Sequence, residues 1–62
     1  MAWLAVDETG KEIIFNHKPF RMFSSIWVSE DYDDNGIQLP QGSIKKLIGR
    51  DLTWDNDPVE IA

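Results

Sequence analysis

The run Asp31-Tyr32-Asp33-Asp34-Asn35-Gly36 carries side chains that a hard divalent cation would select. Oxygen donors at its first, third and fifth positions, with glycine at the sixth, match the opening of an EF-hand calcium loop. Calcium takes roughly six to eight oxygens, and alternating Asp and Asn in a turn supply several of them. The rest of the loop departs from that pattern. Its twelfth position, where a bidentate glutamate belongs, is Gly42; its eighth is Gln38, and Pro40 obstructs an exiting helix. The expectation is a solvated, glycine-ended turn without metal. His17 is the single histidine. An imidazole acting as general base needs a nucleophile or a partner carboxylate in reach, and His17 lies in a polar loop beside Lys18 and Pro19. It is expected to be exposed and to have no chemical role. Ser24-Ser25 has no glycine elbow around it. Among eleven carboxylates some pair always lies close, so a pair is no sign of glycosidase chemistry, which also needs a cleft. These residues predict no catalytic site, no cofactor and no enzyme.

The charges and the tryptophans suggest contact instead. Glu30, Asp31, Asp33 and Asp34 form one acidic cluster, and Asp51, Asp55, Asp57 and Glu60 form another. Solvated turns that keep a small domain soluble are one reading of them. An acidic face that covers a basic partner is the other. Trp27 stands three residues before Glu30, about 10 Å along an extended strand. If Ile26 and Val28 face a core, Trp27 faces out, and an exposed Trp is often an interface anchor. If Trp27 faces in, Ile26 or Val28 lies on a second face covered by a helix. The candidate interaction site is therefore Trp27 with Glu30, Asp31, Asp33 and Asp34, and it requires Trp27 to be at least partly exposed.

These residues must be positioned by very little protein. The chain has 62 residues, enough for one domain, 1–62. A domain of this size buries only about 60% of its unfolded surface. Cysteine is absent, which excludes disulfides, cysteine-based zinc sites and thiol chemistry. Three Trp, three Phe and one Tyr remain to build a core, each ring removing roughly 150–250 Å² from water. The net charge of −5 opposes binding to bare phosphate backbone. Met1 leads into Trp3-Leu4-Ala5-Val6 with no basic region and no long apolar run. That predicts neither a cleavable leader nor a membrane helix, and the cytoplasm as compartment.

Short strands and turns fill most of the chain. Trp3–Val6 and Glu12–Phe15 flank a polar loop ending in Gly10 and read as a hairpin. Asn16-His17-Lys18-Pro19 breaks the second of these strands, and Phe20–Phe23 reads as a connector. Ser25–Ser29 is β-branched and aromatic and predicts a third strand. Ile37–Leu39 predicts a fourth, ended by Pro40. From Gly42 to Gly49 the spacing of Ile44, Leu47 and Ile48 is helical, with Ser43 as the expected cap and Gly49 as the stop. Lys45 and Lys46 point away from that face. Leu52–Trp54 and Val59–Ile61 read as a closing hairpin. The predicted fold is mainly β: a small curled antiparallel sheet or partly open barrel of five or six short strands, with one short helix between the fourth and fifth. A flatter α+β sheet is the second choice.

The segments Leu39-Pro40, Gly42-Ser43-Ile44, Leu47-Ile48-Gly49-Arg50, Leu52-Thr53-Trp54 and Pro58-Val59 have a further aspect. Together with Trp3-Leu4-Ala5-Val6 and Lys18-Pro19-Phe20-Arg21, they make the chain resemble a family of short uncharacterised proteins of gut Bacteroides-type bacteria and their phages or prophages. The resemblance implies a bacterial or mobile-element origin and brings no activity, cofactor or site residue. The expected function is a non-enzymatic interaction or accessory module with a protein partner, as a monomer or small homo-oligomer. An acidic inhibitor that mimics nucleic acid and a sequence-tolerant nucleic-acid binder are the alternatives.

Overall fold

Leu4, Ala5 and Val6 are consecutive, and all three are buried. Successive side chains of a strand point to opposite faces, so this strand must be covered on both. The computed structural model, which describes residues 1–22, 26–31 and 34–62, shows what covers it. Strand β1 (Ala2–Val6) lies inside a four-stranded antiparallel sheet of order β5-β2-β1-β6, where β2 is Glu12–Phe15, β5 is Ile37–Leu39 and β6 is Val59–Ile61. The register puts Leu4 opposite Ile14 and Val59, and Trp3 opposite Phe15 and Glu60. Leu4, Val6, Ile14, Leu39, Val59 and Ile61 therefore share one face, and the helix α1 (Ser43–Ile48) closes over it through Ile44 and Ile48. Trp3, Ala5, Ile13 and Phe15 share the other.

That second face is covered by a two-stranded ribbon, β3 (Pro19–Met22) and β4 (Ile26–Ser29). The molecule is thus three layers thick: helix, sheet, ribbon. The mainly β class holds, with the strands in two antiparallel sheets and no closed barrel. The expected connector Phe20–Phe23 is, in its described part to Met22, a strand instead. β2 ends at Phe15, as the Asn16–Pro19 break predicts, and Pro19 then opens β3, since a first residue need not donate to the ladder. With this extra strand the helix falls between β5 and β6. The predicted third strand is observed from Ile26, its Ser25 and the neighbouring Phe23 and Ser24 lying outside the described residues.

The closing hairpin is not formed. Thr53 N–H donates to Asn56 Oδ1 at 2.8 Å and Asn56 N–H to Thr53 O at 3.0 Å, so the chain turns before Trp54 can pair. Leu52 packs in the helix-side core and Trp54 on the ribbon side, and the segment passes from one face to the other near Val6. Only Val59–Ile61 joins the sheet, against β1.

The helix is started by a residue far away in sequence. Gly42, not Ser43, is its N-cap, and the Ser43 hydroxyl donates back to Pro40 O at 2.6 Å. The buried carboxylate of Glu12 accepts from Gly42 N–H and Ile44 N–H, each at 2.7 Å. It does for the first turn what a local cap side chain does elsewhere. Gly49 ends the helix at φ 79°, its N–H donating to Lys45 O at 2.8 Å. Ile44 is buried and Lys45 and Lys46 are exposed, as their spacing predicts, but Leu47 is 55% exposed because only one turn and a half touches the sheet.

Two glycines with positive φ separate conformational strain from crowding. A Cβ at Gly49 meets nothing within 4 Å, whereas one at Gly36 (φ 75°) lands 2.7 Å from both Ile13 and Phe15. Gly49→Ala should cost about 1 kcal/mol for backbone strain alone. Gly36→Ala adds overpacking and should cost about 2–4 kcal/mol. Urea unfolding of the two variants checks this, and equal losses would contradict the packing described.

Candidate functional site

Ribbon register decides the fate of Trp27. Arg21 lies opposite Trp27, while Phe20 lies opposite Val28 and Met22 opposite Ile26. Trp27 and Arg21 consequently face the sheet, and Phe20, Met22, Ile26 and Val28 face away from it. Trp27 is only 6% exposed. Its indole N–H donates to Val6 O at 2.7 Å, and its ring packs on Ala5 and Phe15 and edge-on against Trp54 at 5.4 Å. The expectation of an exposed Trp27 is overturned. The physical reason is that one indole fills the gap between the layers with a satisfied N–H, which two β-branched side chains cannot do. Among the described residues no helix covers Ile26 and Val28; the helix lies on the far side of the sheet.

Arg21 binds this arrangement together. Its guanidinium lies 4.7 Å from the Trp27 ring and 5.2 Å from the Trp54 ring, both within cation–π range. Nη2–H donates to Trp54 O at 2.7 Å and Asn56 O at 2.8 Å, and Nη1 pairs with Asp57 at 3.5 Å. The side chain therefore fastens the 53–57 turn to the ribbon and is not available as part of a basic surface.

The acidic cluster divides. Glu30 and Asp31 are exposed, Asp34 is buried, and Asp33 lies outside the described residues. Asp34 accepts from Asn16 N–H at 3.2 Å and His17 N–H at 2.8 Å, and its Oδ2 lies 3.2 Å from His17 Nδ1. It closes the turn after β2. Burial pushes the Asp34 carboxyl up, and the hydrogen bonds from His17, Asn16 and Ser29 together outweigh that, holding it below its ordinary value of 3.8. His17, exposed as expected, sits over this carboxylate and 3.6 Å from Asp31. Among the described residues no group of three or more His, Asp or Glu could hold a metal ion. No helix among them is long and apolar enough to cross a membrane.

Two features were not anticipated. The outward face of the ribbon is apolar at every described position: Phe20 is 43% and Ile26 49% exposed, with Met22 and Val28 half-buried between them. The alternation of Phe20 and Met22 around Arg21, and of Ile26 and Val28 around Trp27, was the signal that could have shown it. At the His17 end of the ribbon a shallow cleft of about 600 Å³ opens between the layers, lined by Trp3, His17, Lys18, Phe20, Glu30 and Glu60 among others. Lys18 Nζ lies 5.5 Å from the Trp3 ring centroid within it. Phe20 belongs to both the cleft and the apolar face.

Trp27→Ala should cost about 3–5 kcal/mol, as for a core Trp, which leaves so small a domain largely unfolded. Near-ultraviolet circular dichroism checks it, and a folded variant losing less than about 1.5 kcal/mol would contradict the burial. Asp34 makes a separate prediction. Its folded pKa is below its unfolded one, so its contribution is present above pH 3.8 and is lost as the pH falls through the lowered value. Asp34→Asn should therefore flatten the acid limb of the stability–pH curve, and an unchanged limb would contradict the hydrogen bonds assigned to it.

No protein-family model matches the chain, and no curated protein or solved structure is significantly similar to it.

Proposed function

We propose that the chain is a non-enzymatic protein-interaction module whose contact surface is the outer face of the β3–β4 ribbon. One observation carries the reading. Phe20, Met22, Ile26 and Val28 form an uninterrupted apolar face on a ribbon whose other side already packs on the sheet. Single exposed apolar side chains are ordinary on any surface, but here exposed Phe20 and Ile26 are joined by half-buried Met22 and Val28 into one contiguous patch. The Trp27 anchor is replaced by these four residues, and Glu30 and Asp31 remain as a charged rim.

The reading as an acidic mimic of nucleic acid receives less support, because Asp34 is buried in a turn and leaves the exposed cluster. A nucleic-acid binder receives less still, since Arg21 is committed to Trp54, Asn56 and Asp57. In the proposed reading the module works in the cytoplasm. The resemblance to small proteins of gut bacteria and their phages names the lysate in which to look for its partner.

Affinity capture from such a lysate, read by mass spectrometry, tests the proposal with the double variant Phe20→Ser/Ile26→Ser. Both positions face solvent, so stability should change by no more than about 1 kcal/mol. A protein retained by the wild type should be lost by the double variant. An identical captured set from both would contradict the assigned surface.

A further inference from the structure

The apolar face does not end at the ribbon. Phe20 is shared with the cleft at the His17 end, whose wall is Trp3 on β1 and whose charged residues include Lys18, Glu30 and Glu60. Glu30 and Glu60 are exposed and make no ion pair or hydrogen bond with the described residues. Asp31, also at the cleft, faces His17. Carboxylates thus outnumber side-chain cations around an aromatic wall. The one lysine present already puts its ammonium over the Trp3 ring at 5.5 Å, so the chain itself demonstrates that this ring accepts a cation.

On the reading that the ribbon face is the contact surface, we propose that the partner's docking segment is apolar with an arginine, whose guanidinium enters this cleft. The apolar side chains seat on Phe20, Met22, Ile26 and Val28. The guanidinium stacks on Trp3 in place of the Lys18 ammonium and pairs with Glu30 and Glu60. Arginine fits better than lysine for two reasons. Its plane can stack on an indole while its edge donates in a fork to carboxylates. It is also more weakly hydrated than an ammonium, so it gives up water more readily on leaving solvent for a shallow cleft. The resident Lys18 is exposed and held by no carboxylate among the described residues, so it can swing aside into water.

The probe is a phage-displayed random decapeptide library selected on the full chain, followed by titration of the best peptide against variants. The expected consensus is an arginine flanked by apolar residues. Its affinity should fall roughly tenfold with E30Q/E60Q, and by a similar factor when its arginine is replaced by norleucine, which are the scales of a cation–π contact and exposed ion pairs. Both glutamates are exposed and the replacements isosteric, so the fold is not at issue. An apolar consensus without arginine, lost on F20S/I26S, would overturn the cleft proposal and leave the ribbon surface standing. An arginine consensus indifferent to E30Q/E60Q would overturn it also. No consensus, or one indifferent to F20S/I26S, would overturn both readings.

Discussion

The hydrogen bond from the Trp27 indole N–H to the carbonyl of Val6, at 2.7 Å, joins the two sheets at the point where β1 leaves the core. A two-stranded ribbon is not stable by itself in water and needs a surface to lie on. Trp27 supplies the attachment by filling the space over Ala5 and Phe15, and its N–H would carry a desolvation cost there without an acceptor. Once the indole is seated, alternation determines the rest of the ribbon. Arg21 must lie beside it, over Trp27 and Trp54, where its donors hold the carbonyls of Trp54 and Asn56. The neighbours of both residues must then face water. The apolar outer face is therefore a consequence of the wedge and not an independent feature.

A chain of 62 residues without cysteine has few other ways to hold together. Among the described residues, two acids are spent on backbone N–H groups in the interior. Glu12 takes the first turn of a helix too short to persist alone, and Asp34 takes the turn after β2. Each links segments at least seventeen residues apart. These carboxylates act as long-range staples, each fixing a loop that no strand ladder reaches. The net charge of −5 therefore overstates the acidity offered to a partner.

Local patterns in the sequence were sufficient for the elements that depend on neighbours. The hairpin around Gly10, the strand at Ile37–Leu39 and the stop at Gly49 could all be read from apolar runs and turn residues. The failures share a cause, which is that the deciding partner is distant. Ser43 is a good cap by type, but Glu12 arrives from β2 and takes the position. Leu52–Trp54 is a good strand by composition, but Asn56 closes a turn on it and the two layers draw Leu52 and Trp54 to opposite sides. Trp27 could face either way by alternation alone, and the choice required knowing that a second sheet face lay bare above Ala5 and Phe15. The candidate site inherited that ambiguity. Glu30 and Asp31 are at the surface as expected, Asp34 is not, and the apolar half of the site lies on the neighbours of Trp27.

An inward Trp27 both holds the ribbon on the sheet and turns its apolar face outward. Hydrogen exchange of the three indole N–H groups, measured by NMR in the native protein, tests this most directly. The Trp27 indole proton should be strongly protected, exchanging only when the domain unfolds, with that of half-buried Trp3 exchanging far faster. A Trp27 proton that exchanges as freely as that of Trp3 would contradict the account, because the indole would then not be fixed between the layers.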